Sequence, residues 1–160
     1  MVTCVFPGSF DPPTRGHLDL ISRAASLFDR VTVAVMVNVN KTGSIPSETR
    51  ADMLRRICEP YPNVSVVIWT GLLTDYLRSH RERIIIRGVR SGVEMDQELQ
   101  SAAANRMLFR RAETLYLPSS PSLACVSSSA VREIASFGGD ISAFVPETLT
   151  EEICAFLSKK

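Results

Sequence analysis

The fold is decided close to the start of the chain, where residues 6–17 read FPGSFDPPTRGH. A short apolar run, residues 2–6, leads into this stretch, and apolar residues at helical spacing, among them Leu18, Ile21 and Ala25, follow it. The pattern predicts a buried strand, an irregular loop and the first turn of a helix. The first N–H groups of a helix have no internal partner and lie at the positive end of the helix dipole. An anion can therefore bind at this loop.

Two residues at the end of the loop favour a phosphate as that anion. Gly16 has no Cβ, so a ligand can come close to the backbone, and His17 can donate a hydrogen bond into the same space. The alternative is a loop without a ligand, because proline- and glycine-rich connections are common and a histidine at a helix start is often only a cap. The loop alone leaves both interpretations open.

Four more strands are predicted along the chain, each separated from the next by a helix. The strands are β-branched or apolar runs at residues 31–37, 64–69, 83–87 and 114–117. Helices are predicted over residues 48–59, with Ser47 as N-cap, and over residues 93–111, 127–136 and 146–157. Gly71 turns the chain into a further short helix, which has Leu72 and Leu77 on one face. The alternation predicts one α/β domain over residues 1–160, with a Rossmann-like, doubly wound parallel sheet of five strands and helices on both faces.

Right-handed crossovers favour the strand order 3-2-1-4-5. This order puts strands one and four side by side, and open α/β sheets bind ligands where the strand order reverses, at the carboxyl ends of the strands. We therefore expect the loop at residues 6–17 and the segment at residues 87–98 to face one pocket.

Composition excludes several classes of function. The 160 residues carry 18 basic and 17 acidic side chains, a net charge of +1, which argues against a duplex nucleic-acid binder. No apolar run approaches 18 residues and the start lacks a signal-peptide pattern, so we expect no membrane span and a cytoplasmic protein. The four cysteines are scattered without metal-ligand spacing, which is typical of reduced packing residues.

Two further segments carry groups that suit phosphates. Arg87 and Arg90 flank a glycine just after the fourth strand, although an arginine such as Arg90 is by itself more often a solvated loop residue. Residues 127–129 are three serines at the start of a helix, with Arg132 one turn further on. Such serines either cradle a phosphate or merely cap the helix.

Taken together, these motifs resemble those of the nucleotidylyltransferase superfamily, which carries an (H/T)-x-G-H loop after its first strand. The strings GSFDPPTRGH, RGVR and VSSSAVR are similar to those of the bacterial phosphopantetheine adenylyltransferases, and the resemblance spans residues 6–146. It implies reversible transfer of an adenylyl group from ATP to 4′-phosphopantetheine, giving dephospho-coenzyme A and pyrophosphate. It also implies Mg²⁺ held mainly by ATP phosphates, and a homo-hexamer without nucleic-acid or membrane partners.

The resemblance also assigns roles to residues of this sequence. Catalysis is implied for His17, Lys41 and Arg90, and binding of the acceptor substrate for Ser9, Lys41, Leu73 and Arg87. Binding of ATP is implied for Ser9, Phe10, His17, Gly88, Val89, Arg90, Glu98, Leu123, Ala124, Cys125, Val126, Ser127, Ser128 and Ser129. Without the resemblance, Lys41 and Glu98 would pass for solvated surface charges. The chain departs from the family pattern at two places. It has Leu123 where the family often has an aromatic residue, and residues 43–47 differ from the typical sequence.

Three alternatives remain open. A different nucleotidylyltransferase would act on nicotinamide mononucleotide or a polyol phosphate. A nucleotide sensor would keep the fold without turnover, but it would not need cations for an acceptor phosphate such as Lys41 and Arg87. Class I aminoacyl-tRNA synthetases share the (H/T)-x-G-H motif, but we expect 160 residues to leave no room for anticodon binding.

Overall fold

The computed structural model of the protein describes residues 1–40 and 42–158. At its centre is a parallel sheet in the order β3-β2-β1-β4-β5, which confirms the predicted topology. The strands are β1 (Thr3–Gly8), β2 (Arg30–Val37), β3 (Val64–Thr70), β4 (Ile84–Val89) and β5 (Glu113–Pro118).

Within the described residues, six α-helices connect or follow the strands. They are α1 (Arg15–Leu27), α2 (Ser47–Cys58), α3 (Leu73–His80), α4 (Gly92–Leu108), α5 (Ser128–Ser136) and α6 (Thr150–Leu157), with short 3₁₀ turns at Pro121–Leu123 and Glu147–Leu149. No helix among the described residues is both long and apolar enough to cross a membrane.

The two faces of the sheet bury separate hydrophobic clusters, because side chains alternate along a strand. Cys4 and Phe6 of β1 point into the larger cluster, to which α1, α2, α5 and α6 contribute. Val5, between them, points into a smaller cluster with Tyr76 and Leu77 of α3. The sheet is therefore covered on both faces, as predicted.

Several helix boundaries differ from the prediction. Helix α6 begins at Thr150 rather than at residue 146, because the 3₁₀ turn Glu147–Leu149 precedes it. Pro46, not Ser47, is the N-cap of α2, and its carbonyl accepts the bond from Arg50 N (3.0 Å), while the Ser47 hydroxyl donates to Glu48 (2.9 Å). Helix α4 ends at Leu108 rather than at residue 111, because Phe109 turns to an extended backbone and packs on the smaller cluster.

Helix α4 has apolar residues at helical spacing, yet none of its residues is fully buried. Leu99 is 51% exposed and Met107 is 86% exposed. The sequence pattern therefore indicates an apolar face on α4, and this face is exposed to solvent in the described chain.

Gly88 is needed for close packing of β4 on α1. A Cβ at this position would lie 2.2 Å from Cδ1 of Leu20, a side chain that is itself buried in the larger cluster. We expect Gly88→Ala to lower the free energy of unfolding by about 1–3 kcal/mol, as is usual for overpacking. Urea denaturation measures this, with Gly92→Ala as the control because a Cβ there meets nothing within 4 Å. Equal stability of the two variants would contradict the expectation.

Candidate active site

A cavity of about 360 Å³ opens at the carboxyl ends of β1 and β4. Three segments that are distant in sequence line it: the β1–α1 loop, the end of β4 with the start of α4, and the first turn of α5. The lining includes Gly8, Ser9, Phe10, Gly16, His17, Arg87, Gly88, Arg90, Glu94, Gln97, Glu98, Ser119, Val126, Ser127, Ser128, Ser129 and Arg132. Residues 6–17 and 87–98 therefore face one pocket, as predicted, and the start of α5 completes its lining.

The side chain of His17 is fixed by a capping box at the start of α1. The hydroxyl of Thr14, the N-cap residue, accepts a hydrogen bond from His17 N (3.3 Å), and the backbone N–H of Thr14 donates to Nδ1 of His17 (3.1 Å). Phe10 packs edge-on against the imidazole, with ring centroids 4.9 Å apart. Because Nδ1 accepts a hydrogen bond, the neutral ring carries its proton on Nε2.

The imidazole of His17 is neutral at physiological pH. Burial lowers its pKa to about 4, and the positive charges of Arg90 and Arg87 act in the same direction. A neutral imidazole with Nε2 protonated donates one hydrogen bond and carries no charge. The geometry therefore favours a hydrogen-bond donor over a general base at this position.

The lowered pKa of His17 predicts a loss of stability in acid. Unfolded His17 binds a proton below its ordinary pKa of 6.5, whereas folded His17 binds it only near pH 4. The free energy of unfolding should therefore decrease as the pH falls from 6.5 to 4, and the loss from this residue should reach about 3 kcal/mol. Above pH 6.5 His17 is neutral in both the folded and the unfolded state, so its stabilising contribution is present in full. Urea denaturation of the parent and of His17→Gln at several pH values measures it. The same pH slope in both proteins would contradict the prediction.

Arg87, on β4, is held by a carboxylate from α4. Its Nε and Nη2 donate to the two carboxylate oxygens of Glu98 (2.8 and 2.6 Å), and its Nη1 donates to the carbonyl of Pro7 (2.7 Å). A bidentate pair of this kind orients the guanidinium plane. Glu98, predicted as an ATP ligand, lines the cavity and is at the same time the partner of Arg87.

Arg90 is held in a similar way by Glu94, which lies one turn before Glu98 on α4. Its backbone N–H and its Nε donate to Oε2 of Glu94 (2.9 and 3.1 Å), Nη2 pairs with Oε1, and Nη1 donates to the carbonyl of Val126 (2.8 Å). Burial opposes ionisation of Glu94, but the hydrogen bonds from Arg90 outweigh it and keep the pKa of Glu94 below its ordinary value. Arg90 thereby joins β4 and α4 to the start of α5.

The serines at the start of α5 have different partners. The Ser127 hydroxyl caps the helix by accepting from Ala130 N (3.0 Å), so the capping interpretation is correct for this side chain. The Ser128 hydroxyl donates to the carbonyl of Pro12 (2.7 Å), and the Ser129 hydroxyl accepts from Arg132 Nη2 (3.2 Å). The backbone N–H groups of Ser128 and Ser129 come before the first hydrogen bonds within the helix and can bind an anion.

A second cavity, of about 720 Å³, lies beside the first. Many of its lining side chains are apolar, and Leu73, predicted to contact the acceptor, is among them. The rest of its lining includes Met36, Val37, Asn38, Leu72, Ser101, Ala102 and Asn105. Both cavities are lined by Pro7, Gly8, Ser9, Arg87 and Glu98, so they share one wall.

Several predicted residues lie elsewhere. Leu123, Ala124 and Cys125 are outside the described lining of both cavities, because the 3₁₀ turn after Pro121 folds this segment into local hydrogen bonds. Val89 is buried in the structure and also lies outside the described lining. Lys41 lies outside the described residues.

Sequence reasoning missed other lining residues. Glu94 and Gln97 lie on the same side of α4 as Glu98, and their spacing of three and four residues could have shown this. Ser119 follows the fifth strand at the same edge of the sheet. Asn105 lies seven residues beyond Glu98, two turns further along the same side of α4.

Comparison with known proteins agrees with this geometry. The family model described as cytidylyltransferase-like matches residues 5–134. A solved structure from Vibrio parahaemolyticus, a candidate nicotinate-nucleotide adenylyltransferase, superimposes with a TM-score of 0.67 over 98% of this chain and 96% of that chain. Their sequences are 18% identical, so this similarity shows the fold alone.

Curated relatives are much more similar in sequence. The phosphopantetheine adenylyltransferase of Clostridium perfringens is 45% identical over 93% of this chain and 91% of its own length. Those of Dictyoglomus turgidum and Streptomyces coelicolor are 43% and 45% identical, over 96% of this chain and over 96% and 98% of their own lengths. Since these identities extend over nearly the whole of each protein, the chain belongs to the phosphopantetheine adenylyltransferase family.

Proposed function

We propose that this protein reversibly transfers the adenylyl group of ATP to 4′-phosphopantetheine, giving dephospho-coenzyme A and pyrophosphate. The observation that carries the proposal is the wall shared by the two cavities, which is built around Ser9 and Arg87. One cavity offers arginines and a helix N-terminus, which suit a triphosphate. The other is larger and mostly apolar, which suits a long neutral arm that ends in a phosphate.

The chemistry that these cavities support is an in-line displacement. A phosphate oxygen of the acceptor forms a bond to the α-phosphorus of ATP, and the bond from that phosphorus to the bridging oxygen of pyrophosphate breaks. The attacking phosphate is already an anion, so no general base is required. Catalysis then depends on holding two charged groups in line and on stabilising the charge that spreads over the α-phosphate.

Each site residue among the described ones has a role consistent with its geometry, and the role of Lys41 rests on the sequence resemblance. The Nε2–H of neutral His17 donates to an oxygen of the α-phosphate in the transition state. Arg87 and Lys41 place the acceptor phosphate, and Ser9 contacts both substrates from the shared wall. The outer phosphates of ATP bind Arg90 and the first turn of α5, from Ser127 to Ser129. Glu94 and Glu98 keep the two guanidinium groups oriented.

Mg²⁺ fits this site as a companion of ATP. The acidic side chains of the first cavity, Glu94 and Glu98, already face Arg90 and Arg87. The ion would therefore be held mainly by phosphate oxygens and water, which is its usual coordination in nucleotide sites. When bound, it neutralises charge on the phosphates of ATP.

Pyrophosphate release tests the proposal. The purified protein is incubated with Mg²⁺, ATP and 4′-phosphopantetheine, and dephospho-coenzyme A is identified by mass spectrometry. Nicotinamide mononucleotide and glycerol 3-phosphate replace the acceptor, and CTP replaces ATP, in parallel reactions. We expect turnover with ATP and 4′-phosphopantetheine only. Turnover with another pair would assign a different nucleotidylyltransferase, and ATP binding without turnover would assign a sensor.

We infer in addition that copies of this chain assemble, as a homo-hexamer, through α4. The support is the exposed apolar face of this helix, which includes Val93, Leu99 and Met107. Light scattering coupled to size-exclusion chromatography measures the mass.

A cytoplasmic location is proposed on the four cysteines, all of which are free thiols.

A further inference from the structure

The β1–α1 loop contains one residue with an unusual backbone. Phe10 has a φ of +47°, in the left-handed region that an aromatic residue rarely adopts. Its side chain is 1% exposed and packs edge-on against both Phe6 and His17. Such a conformation persists only where neighbouring contacts determine it.

The carbonyl groups on either side of Phe10 are each bound by an arginine. Nη1 of Arg50, on α2, donates to the carbonyl of Ser9. Nη1 of Arg132, on α5, donates to the carbonyl of Asp11. The turn at Phe10 is therefore held from two helices that approach it from different parts of the chain.

The carboxylate of Asp11 extends this arrangement to the loop before α2. It accepts hydrogen bonds from the backbone N–H groups of Ser44 (2.8 Å) and Ile45 (3.0 Å). A Cβ on Gly43 would lie 3.3 Å from both Asp11 Oδ2 and Arg50 Nη2, so the loop passes close to both groups. Arg50 and Asp11 thus tie residues 43–45 to the loop that carries Ser9 and His17.

Stability alone gives no reason to place an arginine at position 50. The residue is 6% exposed, and among the described residues its Nε has no hydrogen-bond partner. Burying an incompletely paired charge is unfavourable, and an apolar side chain of similar length often serves the fold equally well. Arg50 also lies outside the described lining of both cavities, so direct contact with substrate does not explain it either.

We propose that Arg50 is a positioning residue for the transfer reaction. By binding the carbonyl of Ser9 it fixes the left-handed turn at Phe10. That turn sets the wall between the two cavities at Ser9 and packs the ring of Phe10 against His17. The inference rests on the proposed function, because the wall matters only if two substrates meet across it.

The test compares Arg50→Met and Arg50→Lys with Arg55→Met. Arg55 is on the same helix, is exposed and pairs with Asp52 on the surface, so it is a matched control. We expect kcat of Arg50→Met to fall by at least about thirtyfold, from lost positioning at the reacting groups. The KM values for ATP and acceptor should stay within about threefold and the Tm within about 3 °C of the parent. Arg50→Lys, which keeps one donor, should recover part of kcat, and Arg55→Met should match the parent.

A second readout does not depend on turnover. The ring ¹H–¹⁵N signals of His17 should shift in Arg50→Met and remain unchanged in Arg55→Met, because only the former releases the turn at Phe10. If the parent forms no pyrophosphate with any acceptor, the proposed function fails and these signals still test the positioning. If the parent is active and Arg50→Met keeps its kcat, or Arg50→Met is unfolded, or the His17 signals do not move, the positioning role is overturned.

Discussion

Replacement of His17 by alanine is expected to lower kcat by at least about a hundredfold while the Kd for ATP changes by less than about threefold. His17 lines the first cavity, and on the proposed mechanism its protonated Nε2 donates a hydrogen bond where charge develops during transfer. Loss of one donor of this kind typically reduces turnover by about two to three orders of magnitude. Ground-state affinity for ATP depends mainly on arginines and backbone N–H groups, which the substitution leaves in place. Single-turnover kinetics and equilibrium binding of ATP measure the two effects separately.

His17→Gln is the matched variant for this prediction. Its side-chain amide retains an N–H donor but not the ring that packs on Phe10, so it should keep more activity than His17→Ala. A kcat for His17→Ala within threefold of the parent would show that His17 has no transition-state role. A large rise in the Kd for ATP with unchanged kcat would instead make it an ordinary binding residue.

Arg87→Met is expected to lower kcat/KM for the acceptor by at least about a hundredfold. The substitution removes the charge-assisted hydrogen bonds proposed between Arg87 and the acceptor phosphate. It also leaves Glu98, which is 16% exposed at its side chain, without its cation beside both cavities. An unpaired carboxylate at this point repels the incoming phosphate. Steady-state kinetics with the acceptor varied at saturating ATP measure the loss.

Two further variants interpret that loss. Arg15→Met is the control, because Arg15 also donates to a backbone carbonyl, that of Val145 (3.0 Å), but lies outside the described lining of both cavities. The double variant Arg87→Met, Glu98→Gln should recover part of the activity lost in the single variant, since it removes the unpaired charge. If Arg15→Met is impaired as strongly as Arg87→Met, loss of any nearby arginine explains the result and the specific role fails.

The arrangement of the sheet was predictable because it depends on strong local patterns. β-branched runs alternating with helices imply parallel strands, and the handedness of their connections restricts the order. Once the order is set, the meeting of His17 with Arg87 follows from the edge at which parallel strands end. That these residues form one site was inferred from the resemblance of several motifs taken together. No single residue would have been enough for that inference.

The partners of the arginines were not predictable in the same way. Glu94 and Glu98 are recognisable as neighbours on one side of α4. Arg90 and Glu94 are four residues apart and pair locally. Which arginine Glu98 meets depends on the angle at which α4 crosses β4, and sequence spacing does not determine that angle. The same holds for Arg50, since its bond to Ser9 joins residues that are 41 positions apart.

Two other differences have local physical causes. Residues 123–125 were predicted to bind ATP; they lie outside the described lining of both cavities, and the backbone N–H groups of Leu123 and Ala124 bond within the 3₁₀ turn. The apolar residues of α4 have the spacing of a packed helix face, yet Leu99 and Met107 remain exposed. Periodicity reports that a face is apolar, and it does not report what covers that face.

The single wall between the two cavities also determines how the reaction must end. On the proposed function, the coupled product joins the nucleotide to the acceptor through a new bond, so it spans the wall at Ser9 and occupies both cavities at once. While this product stays bound, neither ATP nor 4′-phosphopantetheine can bind. On the proposed mechanism, both this long molecule and pyrophosphate must leave before ATP and the acceptor can bind again.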